Sequence, residues 1–297
     1  MPRRVTALAN QKGGVGKTTT AINLSACLAE CGRKTLLVDL DPQANATSGL
    51  GIRPEPGSSL YGVLIGEGTA IERIQNTAVE NLDLIPSEVD LAGAEIDIAR
   101  ADQYLTRFRE ALGPVLEMDA YEHIIIDCPP SLGILTVNAM VAASSVIIPI
   151  QCEYYALEGL SVISKIVTQL RQSGANPALK LEGILMTMFD ARTNLSQQVM
   201  HEVRQHFADQ VYEAVIPRTV RLSEAPSHGL PIVLYDSRGA GAEAYRQFTQ
   251  EFLRRREQEA AKGSSAAGAE KTAPPTTADN AAGAMQNAAK EETVDRV

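Results

Sequence analysis

One stretch sets what this chain can fold into: Val5-Thr6-Ala7-Leu8-Ala9-Asn10-Gln11-Lys12-Gly13-Gly14-Val15-Gly16-Lys17-Thr18-Thr19-Thr20. An apolar run, a glycine-rich turn and a Lys-Thr pair lead into a helical pattern, which predicts a strand, a loop and a helix N-terminus in succession. Glycines let the backbone turn tightly, so that successive N–H groups point at one anion. The helix start adds unpaired N–H groups and the positive end of its dipole. In such a loop Lys17 reaches the β- and γ-phosphates of a nucleotide, and the Thr18 hydroxyl meets Mg²⁺. The pattern G-x-x-x-x-G-K-[ST] is met only in part: Gln11 stands where the first Gly belongs, and Lys12 places a second lysine in the loop. The stretch predicts a nucleotide site.

Composition narrows the class. A hydrophobic fraction of 44% over 297 residues is ample for a core, and the net charge of −9 argues against a surface coated in basic residues. Any nucleic-acid binding must then come from a local patch. No apolar run approaches the roughly 18 residues that cross a bilayer, and Met1-Pro2-Arg3-Arg4 run straight into the first strand. The cysteines Cys27, Cys31, Cys128 and Cys152 form no C-x-x-C pair, which suits a reducing cytoplasm. Cys27 and Cys31, one helical turn apart, are expected to be small buried residues.

After the loop, a helix through Ile22, Leu24 and Leu28 stops near Gly32. The run Thr35-Leu36-Leu37-Val38 is the kind found in a buried parallel strand, and it ends in Asp39-Leu40-Asp41-Pro42. Carboxylates at that end of a parallel strand sit where open α/β sheets bind ligands. Further strands are expected at Leu82–Pro86, around Ile124-Ile125-Ile126-Asp127, and at Ser145–Ile150, Leu181–Met188 and Val211–Ile216. Ile124–Asp127, an apolar strand ending in Asp, has the Walker B arrangement, whose carboxylate holds Mg²⁺ directly or through water. Between them, one helix is expected from about Asp90 to Leu116, burying Leu105, Phe108, Leu112 and Leu116, and a last helix from about Gly241 to Glu259. Six or more alternating βα units predict an α/β domain: a doubly wound, mostly parallel sheet flanked by helices, over residues 1–258. Residues 259–297, alanine-rich and without an aromatic side chain, are expected to be a disordered tail.

These motifs resemble a known family. Lys-Gly-Gly-Val-Gly-Lys-Thr-Thr-Thr at 12–20 resembles the deviant Walker A of the ParA/MinD P-loop ATPases, and Val38–Asn45 and Ile126–Ser131 are similar to that family's other nucleotide motifs. Asp190–Asn194, Ile216-Pro217-Arg218 and Arg221–Ser227 look specifically like the ParA/Soj chromosome-partitioning branch. The short N-terminus resembles the small chromosomal type. The resemblance implies ATP and Mg²⁺ as ligands, with Lys12, Gly13, Gly14, Val15, Gly16, Lys17, Thr18 and Thr19 around the phosphates. Pro217 and the backbone near Thr219 would cradle the adenine; the family often has Asn at 219.

The same resemblance assigns roles. Lys12 is the family's signature lysine, reaching across an ATP-dependent homodimer to the partner's nucleotide, while Lys17 serves its own. Asp41 would position the attacking water, Asp39 would help hold Mg²⁺, and these two roles could be exchanged. Asp127 would complete the metal's outer shell beside Thr18. Arg192 and Arg221, with Arg218 nearby, match the positions that contact duplex DNA without sequence preference. The implied function is a slow, partner-stimulated ATPase switch that segregates a chromosome or plasmid with a ParB-type centromere-binding protein, cytoplasmic and nucleoid-associated, with no membrane partner. The alternative is a MinD-like membrane-associated ATPase that positions division.

Overall fold

The computed structural model describes residues 4–153 and 156–270. In chain order the strands are β1 (Arg4–Leu8), β2 (Thr35–Asp39), β3 (Gln75–Asn76), β4 (Leu82–Ile85), β5 (His123–Asp127), β6 (Ser145–Gln151), β7 (Lys180–Phe189) and β8 (Val211–Pro217). The α-helices are α1 (Lys17–Glu30), α2 (Asn45–Gly49), α3 (Tyr61–Ile65), α4 (Leu91–Arg100), α5 (Arg107–Glu117), α6 (Ile134–Ala142), α7 (Ala156–Gln172), α8 (Asn194–Phe207), α9 (Val220–Glu224), α10 (Ile232–Tyr235) and α11 (Ala240–Glu270).

The eight strands form one sheet in the order β3-β4-β2-β5-β1-β6-β7-β8, and every pairing is parallel except β3 with β4. Every residue of β2 and β5 is buried, as strands covered by helices on both faces must be. Strand order changes direction at β1, so the loops after β1, β2 and β5 open into one crevice, the topological switch point of the sheet. Register fixes the rest: Asp127 lies opposite both Leu8 and Asp39.

The doubly wound, mostly parallel sheet is as the sequence implied. Four details differ. The segment from Asp90 to Leu116 is two helices, broken where Gln103 takes φ +59°. The break has a cause in α6: buried Asn138 donates to Tyr104 O at 2.9 Å and accepts the Phe108 N–H at 3.2 Å, so the backbone there serves a tertiary clamp. Phe108 and Leu112 are buried as expected and are joined by Val115, whereas Leu105 and Leu116 are only partly covered. Cys31 is exposed, because it closes α1 beside the Gly32 turn, while Cys27 is buried. The two-residue β3 carries too short a pattern to announce itself.

Helix α11 buries Tyr245, Phe248 and Phe252 and continues to Glu270, past the expected Glu259. The remainder of the expected tail, 271–297, lies outside the described residues. Glu251, on the same helix, accepts the N–H groups of Glu213 and Ala214 at 3.0 Å each, on the terminal strand β8.

Candidate nucleotide site

The loop after β1 is pinned before it turns. Asn10 donates to Pro149 O at 2.7 Å and accepts the Lys12 N–H at 3.0 Å, which fixes the loop between β1 and β6. Gly14 and Gly16 take φ +74° and +83°, a left-handed backbone that L side chains adopt only with strain. Gly16 stands at the N-terminus of α1, where no side chain caps the helix. The first N–H groups of α1 are thus left for an anion. From β7, the Thr187 hydroxyl lies 2.8 Å from Val15 O and 2.9 Å from Ile150 O, which buttresses the loop from below.

The two lysines take different positions. Lys17 is buried and donates to Lys12 O at 3.2 Å. Burial lowers its proton affinity, and the nearby Asp127, Cys128 and Asp41 partly offset this. Lys12 lies on the rim, its ammonium 2.6 Å from Glu153 Oε2, with both side chains 44% exposed. One lysine lines the cradle and the other faces outward.

Three carboxylates converge from two neighbouring strand ends. Asp39 is completely buried, yet both oxygens are engaged: Oδ2 accepts the Thr47 N–H at 2.8 Å and the Thr47 hydroxyl at 2.7 Å, and Oδ1 accepts the Asp41 N–H at 3.2 Å. Burial still pushes its pKa up to about 6, with these hydrogen bonds pulling the other way. Asp127 is equally buried, and neither oxygen has a well-formed hydrogen bond, although the Thr18 hydroxyl is close enough to favour the carboxylate. Its pKa rises well above the ordinary carboxylate range, first through burial and next through the charge of Asp39, against smaller effects of Thr18 and Lys17. Asp41, at the mouth, accepts the Gln43 N–H at 3.0 Å.

The buried carboxylates are engaged differently. Asp39 spends its oxygens on Thr47 of α2 and on the backbone N–H of Asp41. Asp127 has acceptor capacity to spare beside the Thr18 hydroxyl. A buried carboxylate without donors is costly unless a cation or water satisfies it. Among the described residues no group of three or more His, Cys, Asp or Glu could hold a metal alone. Mg²⁺ keeps several waters and uses one or two carboxylates with substrate phosphates, a part that Asp127 and the Thr18 hydroxyl are chemically able to play.

Thr47 itself was not legible as a site residue. Its hydroxyl also accepts the Ser87 N–H at 2.9 Å, linking α2, β2 and the loop after β4. Thr47→Val keeps the shape and removes both hydrogen bonds, leaving a buried N–H and a buried carboxylate short of a partner. We expect a loss of about 1–3 kcal/mol in chemical denaturation, since that is the cost of orphaning buried polar groups.

Beside Gly16 and Thr19 opens a cavity of about 480 Å³, walled by Thr187, Met188, Ile216, Pro217, Thr219 and Tyr245. Its size and mixed lining suit a planar heterocycle. Pro217 and Thr219, which the motif assigned to the adenine, are both among the cavity's walls. The Thr219 hydroxyl accepts the Leu222 N–H at 3.2 Å as the cap of α9. Asn and Thr both make good caps, so exchange between them at 219 leaves the local turn intact.

The three arginines are exposed, at the ends of β7 and β8 and on α9. Arg192 grips Asp190 with two hydrogen bonds, Nε to Oδ1 at 2.9 Å and Nη2 to Oδ2 at 2.7 Å, and holds the Asp190 pKa down at about 2. Arg218 lies alongside, its N–H donating to Phe189 O at 3.0 Å. Arg221 pairs with Glu224 at 3.2 Å and sits 5.9 Å from the centre of the Tyr235 ring. Arg192 and Arg221, both exposed, thus already have carboxylate partners in their own chain, of which Asp190 is the more covered.

Comparison with known proteins accords with the geometry. Residues 3–181 match a protein family described as AAA domain. Over 249 residues the chain is 55% identical to the sporulation initiation inhibitor protein Soj of Bacillus subtilis, covering 84% of this chain and 97% of that protein. It is 48% identical over 255 residues to the chromosome partitioning protein ParA of Caulobacter vibrioides, covering 86% and 95%. The chain belongs to the ParA/Soj family. Solved structures share the ParA/Soj architecture. A Mycobacterium smegmatis protein described as cobyrinic acid a,c-diamide synthase, with bound ADP and magnesium, superposes with TM-score 0.74 at 38% identity, covering 86% of this chain and 96% of that one. The septum site-determining protein MinD of Pyrococcus horikoshii, complexed with Mg-ADP, gives 0.68 at 27%, covering 84% and 95%. As a ParA/Soj ATPase, this chain has among its described residues no helix long and apolar enough to cross a membrane.

Proposed function

We propose that this chain, with residues 1–258 as its ATPase domain, is an ATP-dependent dimeric switch that binds duplex DNA without sequence preference and segregates a chromosome or plasmid. A ParB-type partner stimulates its slow hydrolysis, and the protein works in the cytoplasm on the nucleoid. Lys12 is the observation that carries this reading: its ammonium sits on the rim against an exposed carboxylate, outside the cradle that Lys17 lines. A cation so placed serves a nucleotide approached from another subunit better than its own. It stabilises transition-state charge there as an arginine finger does, and this makes hydrolysis wait for dimerisation.

Within one subunit, the N–H groups of the loop and of the first turn of α1 bind the phosphates, and Lys17 neutralises them. The cavity beside Thr187 and Pro217 takes the adenine. Asp41, held by Asp39 through its own N–H, orients the attacking water. Thr18 and Asp127 would hold Mg²⁺, which would supply charge neutralisation on the phosphates. Arg192, Arg218 and Arg221 exchange carboxylate and water contacts for DNA phosphates, doubled in the dimer.

Binding to random-sequence duplex DNA with ATP, with ADP and without nucleotide, across a salt series, tests the proposal. We expect binding with ATP alone, falling steeply with salt because each phosphate contact adds about 0.9 to the log–log slope. Arg221→Ala should lower both affinity and slope. An ATP dimer that binds no DNA at low salt overturns the reading and moves attention to a membrane surface, tested with anionic vesicles.

A further inference from the structure

The nucleotide cradle and the Arg221 face belong to different elements, yet two contacts join them. The first is Asn23, buried on α1, the helix that begins at Lys17. Its amide donates to Thr19 O at 2.7 Å, and its Oδ1 accepts the Ile232 N–H at 2.7 Å. Ile232 opens α10, where the first N–H groups have no intrahelical partner, so Asn23 serves as a cap delivered from another helix. At the far end of α10, Tyr235 donates to Glu224 Oε2 at 3.1 Å, and the same oxygen pairs with Arg221. The phosphate-binding helix thus reaches Arg221 through three hydrogen-bonded steps.

The second contact is a crossing of two backbones. A Cβ on Gly229 would lie 2.6 Å from Gly51 Cα, and a Cβ on Gly51 would lie 3.2 Å from Gly229 O. Both residues also take positive φ, +75° at Gly51 and +65° at Gly229. Gly51 follows α2, which Thr47 fastens to Asp39; Gly229 stands between α9 and α10. The segment carrying Arg221 is therefore braced from both elements that would meet a nucleotide's terminal phosphate: the helix of Lys17 and the strand end of Asp39 and Asp41.

We propose that Asn23 and the Gly51–Gly229 crossing are positioning elements that set the Arg221 segment according to the nucleotide bound, so that DNA affinity follows the state of the cradle. This rests on the DNA-binding function proposed above. A rigid brace at both ends transmits a shift of either one, because packed backbones and buried hydrogen bonds have few alternative arrangements.

The test uses the full chain and two affinities: ATP for protein, and duplex DNA for protein with ATP or ADP. Asn23→Leu should leave ATP affinity within about twofold but cut the ATP-to-ADP ratio of DNA affinities by about tenfold, a coupling loss within the usual allosteric range. Asn23→Asp keeps an Oδ acceptor for the Ile232 N–H and should restore most of the ratio, which a merely structural role would not require. Gly229→Ala should repeat the loss through the other contact. Exchange of the Ile232 amide in the unaltered protein is a check that needs no variant: its protection should differ between ATP and ADP. Identical protection in both states, or a ratio unchanged in folded Asn23→Leu and Gly229→Ala, overturns the coupling alone. A native protein without nucleotide-dependent DNA binding overturns the function and the coupling together.

Discussion

Replacing Lys17 by methionine should cut ATP turnover by at least about a hundredfold, the usual cost of removing one charged group from a transition-state cradle, while the fold gains stability. Both halves follow from where this ammonium sits. It is buried, it donates to Lys12 O, and burial lowers its proton affinity. Methionine fills a similar volume without a charge to desolvate. Phosphate release and thermal unfolding of the nucleotide-free protein, measured together, decide the matter. Turnover above one tenth of the native rate, or a clear fall in the unfolding midpoint, would contradict this account of the cradle.

Asp127→Asn should have an opposite pair of effects on apo stability and on metal use. The carboxylate is fully buried, without a well-formed hydrogen bond, and beside Asp39. Its pKa and that of Asp39 are raised, the latter from 3.8 to about 6. For an acid whose folded pKa is raised, the native state holds a proton that the unfolded chain releases. Stability is then complete below the ordinary carboxylate range and falls as pH rises through the folded value. The nucleotide-free protein should lose stability as pH rises from about 4, through Asp39 up to about pH 6 and through Asp127, whose pKa is also raised, alongside it. A carboxyl whose pKa is raised by about two contributes at most about 3 kcal/mol to such a loss. Asparagine removes the part due to Asp127, so the variant's unfolding midpoint should exceed the native one by a margin that widens as pH rises from about 4. The variant should also need more Mg²⁺ for ATP turnover. Parallel stability profiles from pH 4 to 8 would show that Asp127 is satisfied in solution by some other means.

What could be read in advance had short-range causes. Leu8, Asp39 and Asp127 end continuous apolar runs, and a parallel sheet aligns such ends, so the crevice followed from three local patterns. Gly14 and Gly16 were legible because a left-handed turn before a helix favours glycine. Thr47, Thr187 and Asn23 were not legible. Each is an ordinary polar residue in a helical or apolar stretch, and its partner lies far along the chain: Ser87, Val15 and Ile232. Local spacing carries no mark of such a contact. The break between α4 and α5 escaped for the same reason, since its cause is Asn138 on another helix. The carboxylate partners of Arg192 and Arg221 are near in sequence, at 190 and 224, and this acidic-basic spacing was the one available signal that these guanidinium groups are held in place.

The two ends of the sheet have a further consequence. One edge is β3, two residues long and antiparallel to its neighbour; at the other, Glu251 occupies two consecutive N–H groups of β8. A strand from another molecule needs a row of free donors and acceptors to add itself, and these edges offer little of one. Crowded copies should therefore find a poor template on these edges, and we expect clumping, followed by light scattering against temperature, to set in with unfolding rather than before it.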